Sequence, residues 1–414
     1  MRTSRRVLPP AARVWAWRLG LLGFVVISAA RSKLDLEGNL PTVFMAVQFA
    51  FVVPAIIAAF LDQGGALRRV DKILIGSLVA FSLLQLATWP LSADTSESLS
   101  QAAILALMVV FLVATFRFHW SDGGLVQADL RFIFLVVCGL QSVGLIGFLA
   151  GAEWASAGYG RFVGTFTNAN FAGMMSAFVL PLVVYLWSTQ KGRWRLLLLS
   201  GSLVLVATLV FSLSRGAFAA ALAGLVIAVI FLVRRLWFTI SVLVAAALAG
   251  GGLLVLLYAV RNTVVDVTLD PAAADPTSGR GGIAEILLGE WVKSPVLGIG
   301  YRASTTATDG LEAHNIYLTV LVETGIVGAV VFVVIGVSAI VAGPRIGRSA
   351  IAVGGLVAVA VSETTESSLF GWGAPSAVIA WLVVLSYAAL GRSSGTVTTD
   401  APVDAARPAV ERPA

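Results

Sequence analysis

Apolar stretches recur along the whole chain, near residues 14–30, 40–61, 73–92, 99–116, 132–150, 171–189, 196–213, 216–233, 236–260, 316–342, 349–361 and 369–390. Polar residues gather in the short gaps between them. Most stretches reach the roughly 20 residues that a helix needs to cross a bilayer. Helices are the open structures that satisfy their own backbone in hydrocarbon, so the pattern predicts an all-α polytopic membrane protein with about twelve transmembrane helices. The eleventh stretch is shorter than a full crossing. The first lies behind Arg2, Arg5 and Arg6 and ends near Ser28-Ala29-Ala30, a layout that a cleaved signal peptide shares; the preferred reading is a membrane helix. One connection, residues 261–315 between the ninth and tenth stretches, is long. Within it Ile283, Ile286, Leu287 and Glu290 recur at helical spacing and predict a short amphipathic helix over 283–292. The organisation expected is one transmembrane helical domain over 1–392, followed by a Pro/Ala/Thr-rich disordered tail over 393–414.

Composition excludes a water-soluble enzyme. Of the 414 residues 58% are hydrophobic and 12% charged, where soluble domains carry about a quarter charged. The net charge of +6 is scattered among short connections, which suits membrane orientation better than nucleic acid. With the N-terminus inside, the inner segments hold 20 of the 28 Lys and Arg residues. The outer segments hold the rest, Arg31, Lys33, Arg161, Arg215, Arg261, Arg280, Lys293 and Arg302, together with 15 of the 22 acidic residues. The positive-inside bias therefore puts both termini in the cytoplasm and the long connection outside.

Three polar motifs then fall at the outer ends of helices running inward. RFVGTFTNAN (161–170) opens the sixth helix and SLSRG (212–216) joins the seventh and eighth. His314-Asn315-Ile316-Tyr317 opens the tenth, with Glu323 two to three turns deeper. Helix N-termini offer unpaired amides and a positive dipole end, so several of them carrying arginines suit a pyrophosphate. Taken singly, each residue has a plainer reading. Arg215 sits between two apolar stretches, where a charge costs several kcal/mol, but an arginine can snorkel to lipid headgroups. Arg280 lies in a Gly-rich turn open to solvent, and His314 alone is an interfacial histidine. Asn168 and Asn170 suit helix caps, and Glu323 suits a structural hydrogen-bonding partner. His119, in an inner connection, is read as solvated, and Glu363 and Glu366 in SETTESS as solvating an outer turn. The lone Cys138 reads as a small buried hydrophobe. Two histidines are too few for a His/Cys metal cluster, and the outer-loop carboxylates do not follow calcium-loop spacing.

Four segments in order, GTFTNANFAG (164–173), SLSRGA (212–217), TSGRGGIAEILLGEWVKSPVLGIGY (277–301) and HNIYLTVLVETGIVG (314–328), resemble the O-antigen ligase and polymerase superfamily of bacterial integral-membrane glycosyltransferases. The resemblance covers roughly residues 160–335; the first four stretches match in hydropathy alone. It implies transfer of a glycan from a polyprenyl diphosphate carrier to a glycan or lipid-linked acceptor hydroxyl, at the outer face of the inner membrane, without cofactor, metal or nucleic acid. It implies that Arg215 and Arg280, with Arg161 a weaker candidate, stabilise the leaving diphosphate. His314 then activates the acceptor, with Glu323 or Glu312 as alternative base or as partner of the imidazole. Asn168, Asn170, Tyr301, Asn315 and Tyr317 complete the expected substrate site. A flippase or transporter of lipid-linked sugars is the alternative from another class. It predicts polar residues deep in several spans, whereas here they cluster at the outer ends. Ligase and polymerase share a donor, and no acceptor motif separates them.

Overall fold

A computed structural model describes residues 9–31, 33, 40–61, 66–92, 95–157, 160–166, 168–233, 280–370 and 374–393. The predicted ninth crossing (236–260), residues 261–279 of the long connection and the tail from 394 onward lie outside the described residues. In chain order the helices are α1 (Pro10–Arg31), α2 (Leu40–Ala50), α3 (Val52–Phe60), α4 (Arg69–Thr88), α5 (Thr95–Arg117), α6 (Gly123–Leu149), α7 (Ala169–Thr189), α8 (Arg193–Ser212) and α9 (Arg215–Val233). They continue with α10 (Arg280–Lys293), α11 (Ala303–Ala307), α12 (Ile316–Ala342), α13 (Val353–Ser362) and α14 (Pro375–Ser393). Nine described helices, α1, α4 to α9, α12 and α14, are long and apolar enough to cross a membrane.

Two predicted crossings come out shorter. The second stretch divides at Phe51 into α2 and α3. Pro54 accounts for the break, because its ring clashes with the carbonyl four residues back, that of Ala50. The eleventh is the ten-residue α13, entered through a 3₁₀ turn over Arg348–Ala352. Between α6 and α7 the chain adds an element absent from the all-α expectation. This is a small antiparallel hairpin of β1 (Ser156–Ala157) and β2 (Arg161–Phe162), with Ala157 opposite Arg161.

The helices differ in what they face. Large apolar side chains such as Ile146, Leu149, Leu196, Leu203 and Val333 stand exposed, a surface suited to lipid and unsuited to water. The most hydrophobic 18-residue window of α14 is 94% buried inside the protein, and that of α7 78%. Those two helices form the centre, and the others pack around them. On α9 the small residues Ala217, Ala220, Ala221, Gly224 and Ala228 are buried along one stripe, which lets α7 and α13 approach closely.

Polar contacts gather at the two ends of the bundle, and each end collects residues that the charge bias assigns to one side. At one end Asp71 binds Arg68 (2.9 Å) and Arg392 (3.1 Å). Those arginines also donate to the carbonyls of Ala342, Ala388 and Phe116 at the ends of α12, α14 and α5. Nearby Asp129 accepts from Arg18 (2.9 Å) and Trp120 (3.0 Å) and bonds His119 (2.8 Å). His119 is therefore not solvated as the sequence suggested: it is 2% exposed, with the Trp17 ring stacked 4.7 Å away. The 3₁₀ turn over His119–Ser121 folds it back onto α6. The other end holds the three motifs.

Candidate functional site

Each motif opens a helix, and local chemistry makes it do so. Asn168 caps α7, its side-chain oxygen accepting from the Phe171 amide at 2.9 Å. Ser214 caps α9 through the Ala217 amide (3.4 Å), and Asn315 caps α12 through the Leu318 amide (3.1 Å). The Asn168 and Asn315 side chains thus satisfy orphan amides of the first turn. His314 precedes the α12 cap with a left-handed backbone, φ 48°.

The loop between α13 and α14 joins these helix heads. The Ile316 amide donates to the Glu363 carbonyl (3.0 Å). Gly216, the second residue of α9, lies so close to Thr365 that a Cβ there would overlap the threonine Oγ1. Glu366, one residue on, meets His314: imidazole Nδ1 and carboxylate Oε2 are 2.9 Å apart. Its other oxygen accepts from the Asn170 amide at 2.6 Å. Asn170 Oδ1 in turn accepts from Arg161 Nη2 (2.8 Å), while Arg161 Nε donates to the Ser212 carbonyl (2.9 Å). One hydrogen-bonded chain thus runs from the hairpin through α7 and the 363–370 loop to the head of α12, pinned at the end of α8.

Glu366 is the residue that sequence reasoning missed. Both carboxylates of SETTESS, read as solvated, are buried: Glu363 is 1% and Glu366 3% exposed. Glu363 accepts from the Ser368 hydroxyl and the Leu369 amide (3.2 Å). Burial pushes its carboxyl up to about 8, with neighbouring Glu366 adding to the rise against the pull of the Ser368 and Leu369 bonds. The available signal was a pair of carboxylates held tightly between two apolar stretches, where water is scarce.

Glu323 occupies a second cluster. Its Oε1 accepts from the Ser304 hydroxyl at 2.5 Å, and the backbone of Arg302 and Ser304, at the start of α11, also bonds it. Tyr301 lies in this cluster, fully buried, with its carbonyl accepting from Ser98 (2.8 Å). Burial and the Glu323 carboxylate raise its phenol above the usual range, with Arg302 opposing. The cluster rests on a break in α12. Gly325 has φ 62° and ψ −166°, so the helix is interrupted where the sequence predicted a continuous one. The segment 295–300 fills the gap: the Ile299 and Gly300 amides donate to the Val322 and Glu323 carbonyls (2.9 and 3.1 Å). The Ile326 and Val327 amides donate back to Pro295 and Val296 (2.9 and 3.3 Å). Freed backbone groups at membrane depth need such partners.

The remaining candidates lie as follows. Arg215 is half-buried at the first residue of α9. Arg280 is the first residue of α10, and its side chain lies outside what the structure describes. The predicted amphipathic helix is present as α10, but its packed face is Ile283, Leu287 and Trp291, set against Ala313 and Val322. Ile286 points away, 51% exposed. Tyr317 donates to the Ala360 carbonyl (2.9 Å) and ties α12 to α13. The structure therefore joins His314, Asn170 and Arg161 to Glu366, brings the α9 head against the same loop, and sets Glu323 and Tyr301 apart with Ser304.

No curated protein matches the chain. The model of the O-antigen ligase family matches residues 201–333, from α8 to α12, a stretch that contains Arg215, Arg280, His314 and Glu323. Arg161, Asn170 and Glu366 fall outside the matched stretch. Over residues 201–333 the chain is therefore similar to the O-antigen ligase family.

Proposed function

We propose that the protein transfers a glycan from a polyprenyl diphosphate carrier to an acceptor hydroxyl at the outer face of the cytoplasmic membrane, as a ligase or polymerase of surface polysaccharide. The family match supports the reaction type. The observation that carries the reading is the link from His314 through Glu366 and Asn170 to Arg161 at the heads of α7, α9 and α12. In the reaction the acceptor oxygen attacks the anomeric carbon and its proton passes to His314. The bond from that carbon to the phosphate oxygen breaks, and the diphosphate departs with added negative charge. Guanidiniums of Arg215 and Arg280, each the first residue of its helix, would bind that charge in a bidentate fork. His314 suits the base better than Glu323, whose carboxylate is engaged by Ser304 and the α11 backbone. It also suits the role better than Glu312, which is exposed outside the hydrogen-bonded chain.

Purified protein in liposomes, given lipid-linked donor and acceptor without an ion gradient, tests the reading. Arg215→Ala, Arg280→Ala and His314→Ala should each lower transfer on the order of 10²-fold or more while inserting normally. Arginine-to-lysine changes should recover little, and EDTA should leave the rate unchanged. Full transfer by His314→Ala would remove it as the base, and loss in EDTA would refute the arginine-only scheme. Carrier-bound glycans in a deletion strain separate the two activities: single repeats indicate a polymerase, full-length chains a ligase.

A further inference from the structure

We propose that Glu366, held by Asn170 and through it by Arg161, is the positioning residue that fixes the tautomer of His314. The inference rests on the reading of His314 as the base. Its argument is one of hydrogen-bond polarity. A guanidinium has donors and no acceptor, so Arg161 Nη2, 2.8 Å from the Asn170 side chain, demands the amide oxygen there. That orientation turns the Asn170 NH₂ toward Glu366, 2.6 Å away. The Glu366 carboxylate accepts on both oxygens. Its second oxygen, 2.9 Å from His314 Nδ1, therefore requires the proton on Nδ1. In a neutral imidazole this leaves the Nε2 lone pair free, and Nε2 is the atom that takes the acceptor proton. The imidazolium so formed lies against a carboxylate that is already oriented, so no reorganisation accompanies the charge.

The guanidinium, which cannot accept, sets the direction of the first two links, and the Glu366 carboxylate, an acceptor on both oxygens, sets that of the third. Among the described residues, Glu363 lies on the same loop and close enough to feel the Glu366 charge, Arg215 stands at the head of α9 and Glu312 two residues before the histidine. Glu366, only 3% exposed, has little water to replace these partners. The inference also gives Arg161 a task separate from the diphosphate contact expected of it.

The chain holds two histidines, His119 and His314. Full-length protein labelled with nitrogen-15 histidine in nanodiscs thus gives two imidazole signatures, which the His314→Ala variant assigns. At a pH where His314 is neutral, the proton is expected on Nδ1. In Glu366→Gln one face of the new amide must present NH₂ to the ring, because Asn170 already presents its own to the other face. The proton should move to Nε2, and kcat should fall on the order of 10²–10⁴-fold, with KM for the lipid-linked donor little changed. A purely structural loss would lower folded yield and leave the tautomer where it was. Wild-type protein with the proton on Nε2 overturns the inference, even if Glu366→Gln does not fold. A folded Glu366→Gln protein that keeps its kcat and its spectrum overturns it as well. The functional reading fails separately, if His314→Ala transfers glycan at the wild-type rate.

Discussion

Glu363 and Glu366 stand three residues apart on one loop, and their surroundings divide them. Glu366 faces a donor amide and an imidazole. Glu363 is sealed under Ser368 and Leu369, and burial lifts its carboxyl from 4.5 to about 8. Between those two values the folded protein keeps a proton that the unfolded chain has released. The unfolded state then binds fewer protons, so stability falls as pH rises through this window. The melting temperature is accordingly expected to drop between about pH 5 and pH 8, and Glu363→Gln, neutral throughout, should flatten the drop. A variant with the wild-type slope would exclude Glu363 as its source. Chemical type and spacing identified His314 and Asn170 from the sequence. The fate of the two glutamates was hidden, since a short acidic turn reads the same whether water or other helices cover it.

At the scale of elements, the break in α12 explains two patterns noted in the sequence. SPVLGIGY and ETGIVG hydrogen-bond to each other, the first supplying a segment of turns and the second the interrupted helix that receives it. Gly325 occupies a backbone region essentially closed to other residues, and a Cβ there would run into the Val296 carbonyl. Gly325→Ala should destabilise the protein by at least ~1–3 kcal/mol, read as a lower melting temperature and less folded protein after extraction. An unchanged melting temperature would mean that the segment 295–300 does not depend on this break. Hydropathy could not reveal the interruption, because on average the span 316–342 is as apolar as any other described crossing, despite Glu323 and Thr324 just before Gly325. The cap at Asn168 was legible, because a cap depends on its own first turn, whereas Asn170, read alike as a cap, turns its side chain to Arg161 and Glu366.

The whole molecule sorts its polar residues to two ends, and the charge bias assigns those ends to opposite sides of the membrane. Cys138 is the single cysteine and is buried, so introduced cysteines report without background. A cysteine at exposed Ser156 should react with an impermeant maleimide in intact cells, and one at exposed Lys191 only after permeabilisation. The reverse pattern would invert the orientation. The sequence by itself determined the helical membrane class, most crossings, the starts of α7, α9 and α12 and the charge asymmetry, because each of these is written in neighbouring residues or in a count along the chain. Only the tertiary structure decided that Glu366 would close on His314 and on Asn170, 196 positions away. It likewise decided that Glu323 would turn to Ser304 and that His119 would be sealed beneath Trp17. A polar side chain takes whichever partner the packed helices bring within reach, and that partner is set by how distant segments cross.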